Sequence, residues 1–210
     1  RPWEASDIRL SWVIYDESLG KFRMRYSTRG FRTDGRNEKG ELIVIGEGKT
    51  PEEKPVVCEA FSEDGIHWVK PELGLVEYNG STANNILPDD ACYWYILEDL
   101  HDPDQTRHYK AYVREGSYDG DGMRYYAYHS ADAYKWVKTQ EAPIIDTGTQ
   151  HGRWGPAEMT GWDPIRKTYA AHMENNFHMH SPTHHRRSIG RAGSTDGIHW
   201  SEPETIIAVD

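Results

Sequence analysis

One heptad recurs three times along this chain, as Ser62-Glu-Asp-Gly-Ile-His-Trp68, Ser130-Ala-Asp-Ala-Tyr-Lys-Trp136 and Ser194-Thr-Asp-Gly-Ile-His-Trp200. The serines stand 68 and then 64 residues apart. A long period of this kind marks a structural unit that repeats, and it restricts the fold before any single residue is weighed. The segments around each heptad alternate apolar and polar residues with the period of a β-strand. The repeating unit is therefore a small sheet, and small sheets repeated radially make a β-propeller.

Short Ser and Asp side chains close turns by bonding nearby backbone N–H groups. Gly65 and Gly197 admit a positive φ, and each heptad Trp is expected to pack between sheets. The heptads, with His67 and His199, read as structural. The middle copy has Ala133 where the others have Gly, so its turn is expected to differ slightly.

A hairpin precedes each heptad. The run Val13 to Tyr26 alternates on both sides of a turn signal at Asp16–Gly20. Tyr95–Leu97 with Tyr109–Val113, and Thr160–Met173 around Asp163-Pro164, repeat the pattern. One more strand leads into each heptad: Val56–Phe61, Met123–His129 and Ser188–Gly193. Apolar stretches follow at Asn85–Leu87, Pro143–Ile145 and Ile206–Val209. Each unit thus holds about four short strands, the complement of one blade. The expected fold is all-β with almost no helix, one propeller domain with blades at about 1–80, 81–145 and 146–210. Thr33–Glu53, polar around Leu42-Ile-Val-Ile45, reads as a long loop or an inserted hairpin. Asn79-Gly-Ser81 fits a glycosylation sequon or a tight turn.

A chain of 210 residues can bury a core as one domain. Its 34 acidic against 24 basic residues give a net charge of −10, which argues against a nucleic-acid partner. No apolar run approaches the roughly 18 residues of a membrane span, so no membrane partner is expected. No charged-then-apolar leader opens the chain, which begins at Arg1, and removed upstream sequence is expected. Cys58 and Cys92 allow one bridge or two free thiols. Eight Trp and 13 Tyr accompany four Phe; flat faces with polar edges suit sugar stacking or blade packing. Three blades fall short of the four to eight that close a propeller. Flanking blades or an oligomer are expected to complete it.

Ser-x-Asp-Gly-x-x-Trp is similar to the Asp box of sialidases, one residue shorter. Arg1-Pro-Trp-Glu4, Tyr15-Asp16 to Lys21-Phe-Arg-Met24, Ser62 to Trp68, Lys70-Pro-Glu-Leu-Gly74, and Gly80-Ser81 to Asn84-Asn-Ile86 together resemble bacterial five-bladed propeller proteins related to glycoside hydrolase families 43 and 32. The resemblance implies a glycosidase that degrades poly- or oligosaccharides, secreted or periplasmic, with blades before Arg1 and after Asp210. It implies carboxylates at the starts of inner strands, one donating a proton to the leaving oxygen and another activating water or attacking the sugar.

The catalytic candidates are Glu158, Asp90 and Glu4. Trp154-Gly-Pro-Ala-Glu158 resembles the Trp-Ala-Pro-Glu/Asp stretch of family 43 with one residue inserted. Desolvation beside Trp154 and Pro156 would raise the Glu158 pKa, as a general acid needs. Asp146 either binds sugar hydroxyls, acts as base or caps a turn. Trp3, Gln150, His151 and Trp154 complete the expected sugar contacts. Five histidines crowd His172–His185, and His178 and His180 share a strand face. A solvated loop or substrate rim is the first reading there. No cofactor is expected, a metal such as Ca or Zn being the lesser alternative. The alternative function is a noncatalytic carbohydrate-binding or structural propeller module.

Overall fold

The computed structural model describes residues 2–4, 7–29, 33–36, 38–40, 42–44, 56–89, 96–117, 122–146, 157–177 and 186–208. Among them are fourteen strands and no α-helix. The strands are β1 (Asp7–Asp16), β2 (Lys21–Arg29), β3 (Thr33–Arg36), β4 (Leu42–Val44), β5 (Val56–Ser62), β6 (Ile96–Glu98) and β7 (Tyr109–Ser117). They continue as β8 (Gly122–Ser130), β9 (Val137–Lys138), β10 (Ile145–Asp146), β11 (Ala157–Asp163), β12 (Thr168–Phe177), β13 (Arg186–Ser194) and β14 (Glu204–Ile207). Short 3-10 turns stand at Pro2–Glu4 and Gln105–Arg107.

The strands form three antiparallel sheets and one separate hairpin. The first sheet runs β1-β2-β5, with Ile86 bridged to Cys58 along its outer edge. The middle sheet runs β6-β7-β8-β10, with β9 also on β8, and the third runs β11-β12-β13-β14. The inserted segment of the first sheet is the β3-β4 hairpin. Arg1–Trp94 forms one compact unit and Tyr95–Asp210 a second. Cys58 is fully buried. Asn79 and Gly80 take φ of 51° and 79° between Tyr78 and Ser81, which exchange both backbone hydrogen bonds. That is the tight-turn geometry Asn-Gly favours.

Each hairpin turn is closed by a carboxylate at the end of its first strand or, for Asp99, one residue beyond it. Asp16 accepts the N–H of Leu19, Asp99 those of His101 and Asp102, and Asp163 those of Ile165 and Arg166. The other oxygen takes a cation: Arg23 for Asp16, Lys110 for Asp99 and Arg191 for Asp163. Arg23 and Lys110 occupy the same register, opposite Ile14 and Leu97, two residues before the acid. In the third sheet that position is Ala170, opposite Gly161. The charge comes instead from Arg191 on the next strand. The requirement is a cation at the acid, and the sequence meets it from either neighbour. Asp16 and Arg23 are fully buried, where removing one partner would strand a charge.

The heptad turns repeat the same Ser–Asp and Asp–backbone hydrogen bonds. Ser62, Ser130 and Ser194 donate to Asp64, Asp132 and Asp196 at 3.0, 3.1 and 3.0 Å. Each Asp accepts two backbone N–H groups at 2.8 Å. The expected difference in the middle copy is absent: Ala133 takes φ of 64°, beside 76° at Gly65 and 73° at Gly197. The Ser130–Asp132 bonds hold it in a left-handed conformation that costs an L-residue about 1–2 kcal/mol.

Within the second unit, the third sheet packs one face, carrying Met159, Trp162, Tyr169, Ala171 and Met173, on the middle sheet. The middle sheet presents Leu97, Asp99, Lys110 and Tyr112 to it. Tyr169 donates its hydroxyl to Asp99, and Trp162 stacks on His101 with centroids 4.5 Å apart. We call the first of these the front face of a sheet and the second its back face. The first unit has its own core around Trp3, Tyr26, Cys58, Ala60 and Ile86.

A Cβ on Gly197 would sit 2.7 Å from the Tyr112 hydroxyl, whereas one on Gly65 meets the Phe22 ring at 3.6 Å. Gly65→Ala is expected to lower stability by about 1–2 kcal/mol, and Gly197→Ala by clearly more. Denaturant midpoints of the two variants measure the difference, and equal midpoints would contradict it.

Candidate active site

Of the three catalytic candidates, Glu4 lies in the most organised surroundings. The 3-10 turn Pro2–Glu4 precedes β1 and lies across β2. It is tied down by Trp3, whose carbonyl accepts from Thr28 and whose indole N–H donates to Asn85. Trp3 is buried and meets Tyr78 edge-on. The expectation that Trp3 stacks on a sugar is corrected here: its faces are used by the protein core, and it positions its neighbour instead.

The Glu4 side chain is 5% exposed, yet both carboxylate oxygens are engaged. Oε1 accepts the Tyr26 hydroxyl at 2.5 Å and Oε2 accepts the Lys70 ammonium at 2.7 Å. Tyr26 accepts in turn from Asn85, whose amide also donates to the Glu59 carbonyl. Lys70 lies over the Tyr26 ring, 5.6 Å from its centroid. Burial works to raise the Glu4 pKa, but the hydrogen bonds from Lys70 and Tyr26 outweigh it and hold the carboxyl below its ordinary value. Burial, then the bond to Glu4, pushes the Tyr26 phenol far above its ordinary range. Glu4 is thus a fixed anion, able to stabilise positive charge close by.

Glu158 lies on β11 in register with His172, which is itself in register with Arg191. Its side chain is exposed, and the Trp154–Pro156 stretch expected to desolvate it lies outside the described residues. Asp146 ends β10 and pairs with Arg124 at 3.2 Å, both half-exposed. Asp90, Gln150, His151, His178 and His180 also fall outside the described residues. No group of three or more metal-ligating side chains occurs among the described residues.

Tyr26, Lys70 and Asn85 escape a reading of the sequence by motif. Tyr26 reads as a core aromatic of a strand, Lys70 as a charge after Trp68, and Asn85 as half of an Asn-Asn pair. Their signal is long range: Lys70 and Glu4 are 66 residues apart in the chain, and pairing of β2 with β5 brings them together.

No family model matches the sequence, and no curated protein matches it. Solved structures share its fold. A fructofuranosidase variant from Schwanniomyces occidentalis, complexed with fructosylnystose, aligns over 95% of this chain at 13% identity with a TM-score of 0.52. An N-acetylgalactosamine deacetylase from F. plautii, in complex with blood group B trisaccharide, aligns over 94% at 12% identity with a TM-score of 0.50. The likeness is one of fold. The chain spans 34% of the first protein and 52% of the second.

A carboxylate whose folded pKa is depressed contributes stability above its unfolded pKa and loses it as pH falls through the folded one. Unfolding free energy is therefore expected to fall as pH drops below about 4.3, less steeply in Glu4→Gln. Tyr26→Phe removes a buried bond to a charged acceptor, expected to cost about 1.5–3 kcal/mol. Chemical denaturation across pH 3 to 7 reads both effects.

Proposed function

We propose that this chain belongs to a carbohydrate-active propeller whose three sheets are successive blades, and that it hydrolyses a glycosidic bond. The observation that carries the reading is Glu4: a carboxylate kept ionised just ahead of the first strand of a sheet, in a fold shared with two proteins solved in complex with carbohydrates. In this reading Glu4 stabilises the oxocarbenium-like charge that develops on the sugar ring. Glu158, exposed to solvent and hence to a ligand, donates the proton to the leaving oxygen. Asp90 is the third carboxylate and takes the proton of the water that adds to the anomeric carbon as the leaving oxygen departs, and Asp146, Gln150, His151 and Trp154 contact sugar hydroxyls and rings. Lys70 and Tyr26 keep Glu4 charged and in place.

One observation favours a second reading, a sugar-binding module without turnover. Both Glu4 oxygens are already taken, by Lys70 and Tyr26, which suits a structural anion as well as a catalytic one.

Incubation with a glycan panel that includes fructosylnystose and blood group B trisaccharide separates the two. Product release, reduced about 10²–10⁴-fold in Glu158→Gln as for loss of a general acid, supports hydrolysis. Unchanged turnover in that variant removes Glu158 from the scheme. Calorimetric binding with no product after long incubation supports the second reading.

A further inference from the structure

Asn79, Asn84 and Asn85 lie close together in the first unit, and the fold treats them in opposite ways. Asn84 and Asn85 are buried with their carboxamides engaged. Asn84 donates to the carbonyls of Val76 and Ser81 and accepts the N–H of Ile86. Asn85 donates to the Tyr26 hydroxyl and the Glu59 carbonyl and accepts the Trp3 indole N–H. Asn79 is exposed at the tip of the turn. That turn is closed through the backbone groups of Tyr78 and Ser81. Among the described residues, no hydrogen bond engages the Asn79 carboxamide or the Gly80 N–H.

An asparagine amide left unbonded is open to attack by the nitrogen of the peptide that follows it. Gly80 has no Cβ to obstruct that approach, and a Cβ there would meet nothing within 4 Å. In this step the Gly80 nitrogen forms a bond to Cγ of Asn79 and the Cγ–Nδ2 bond breaks. Nδ2 leaves as ammonia, taking the Gly80 proton. Water then opens the cyclic imide. Opening at Cγ leaves an aspartate, and opening at the main-chain carbonyl leaves an isoaspartate, whose backbone runs through Cβ and Cγ. Water is the only co-reactant. The Asp-Gly pairs of the heptads are kept from the same fate, since Asp64 and Asp196 are held by Ser and by backbone N–H groups.

The turn bears directly on Glu4. Tyr78, beside Asn79, packs edge-on against Trp3 with ring centroids 5.4 Å apart. Asn84 braces the turn from Val76 to Ser81, and Asn85 ties Trp3 to Tyr26. An isoaspartate lengthens the main chain at a turn whose length fixes the pairing register. We infer that Asn79 is a site of spontaneous deamidation, and that its isoaspartyl product loosens the mount holding Glu4 between Lys70 and Tyr26. The candidate site therefore ages at a rate set by the chain's own chemistry. The inference concerns the Glu4 network itself and does not depend on hydrolysis being its function.

Incubation of the folded chain in mildly alkaline buffer, followed by fragmentation mass spectrometry, is expected to place the amide-to-acid mass gain at Asn79 and to leave Asn84 and Asn85 unchanged. The isoaspartyl fraction, separated by ion exchange, is expected to unfold at lower denaturant concentration than fresh protein and to show the shallower acid limb of Glu4→Gln. Freshly prepared Asn79→Asp adds the same charge on a normal backbone and is expected to keep the midpoint and acid limb of fresh protein. Asn79→Gly keeps a turn-forming pair and is expected not to age. No modification at Asn79, or equal modification at Asn84 and Asn85, would overturn the site. An isoaspartyl fraction with the acid limb of fresh protein, or an Asn79→Asp variant already as altered as that fraction, would overturn its link to Glu4.

Discussion

Among the described residues, the hairpin and heptad turns of these sheets are organised around carboxylates that accept backbone N–H groups. Asp16, Asp99 and Asp163 close the hairpins, and Asp64, Asp132 and Asp196 close the heptads. Antiparallel strands can pair only after the chain reverses, and a reversal leaves backbone donors without ladder partners. The Asp oxygens take those donors. The remaining oxygen of each hairpin Asp draws a cation out of the sheet, which ties strand to strand beyond the backbone ladder. In the second unit the same carboxylate, Asp99, also accepts the hydroxyl of Tyr169 from the next sheet. One kind of bond closes the turns and, at Asp99, joins two sheets.

The candidate site grows from the same economy of buried charge. Glu4 is nearly inaccessible, a position where an unpaired carboxyl would take up a proton. Lys70 supplies the opposite charge, Tyr26 a neutral donor, and Asn85 holds Tyr26 in line. Trp3 anchors the short turn from below, so Glu4 has little freedom to relax away. A group held this way loses its partners together, because each orients the next.

Strand positions were largely legible in the sequence, because alternation and Asp-led turns are local signals. The hairpin Val13–Tyr26, the strand Val56–Phe61 and the heptad turns all lie where local chemistry places them. The inserted Leu42–Val44 strand forms part of a hairpin for the same reason. Ala133 was misjudged because a side-chain network overrides an intrinsic preference: Ser130 and Asp132 hold a positive φ that alanine by itself avoids. Trp3 was misjudged because an aromatic count does not say which faces a core has already claimed.

What the sequence by itself determined is the repeat: three Ser/Asp/Trp turns and three Asp-closed hairpins, each encoded within about a dozen neighbouring residues. Only tertiary structure decided which cation serves which acid and which carboxylate is buried. Arg191 reaches Asp163 from a strand 28 residues away, and Lys70 reaches Glu4 across 66. Such pairings depend on strand register and sheet packing, which juxtapose residues that no short window of sequence holds together.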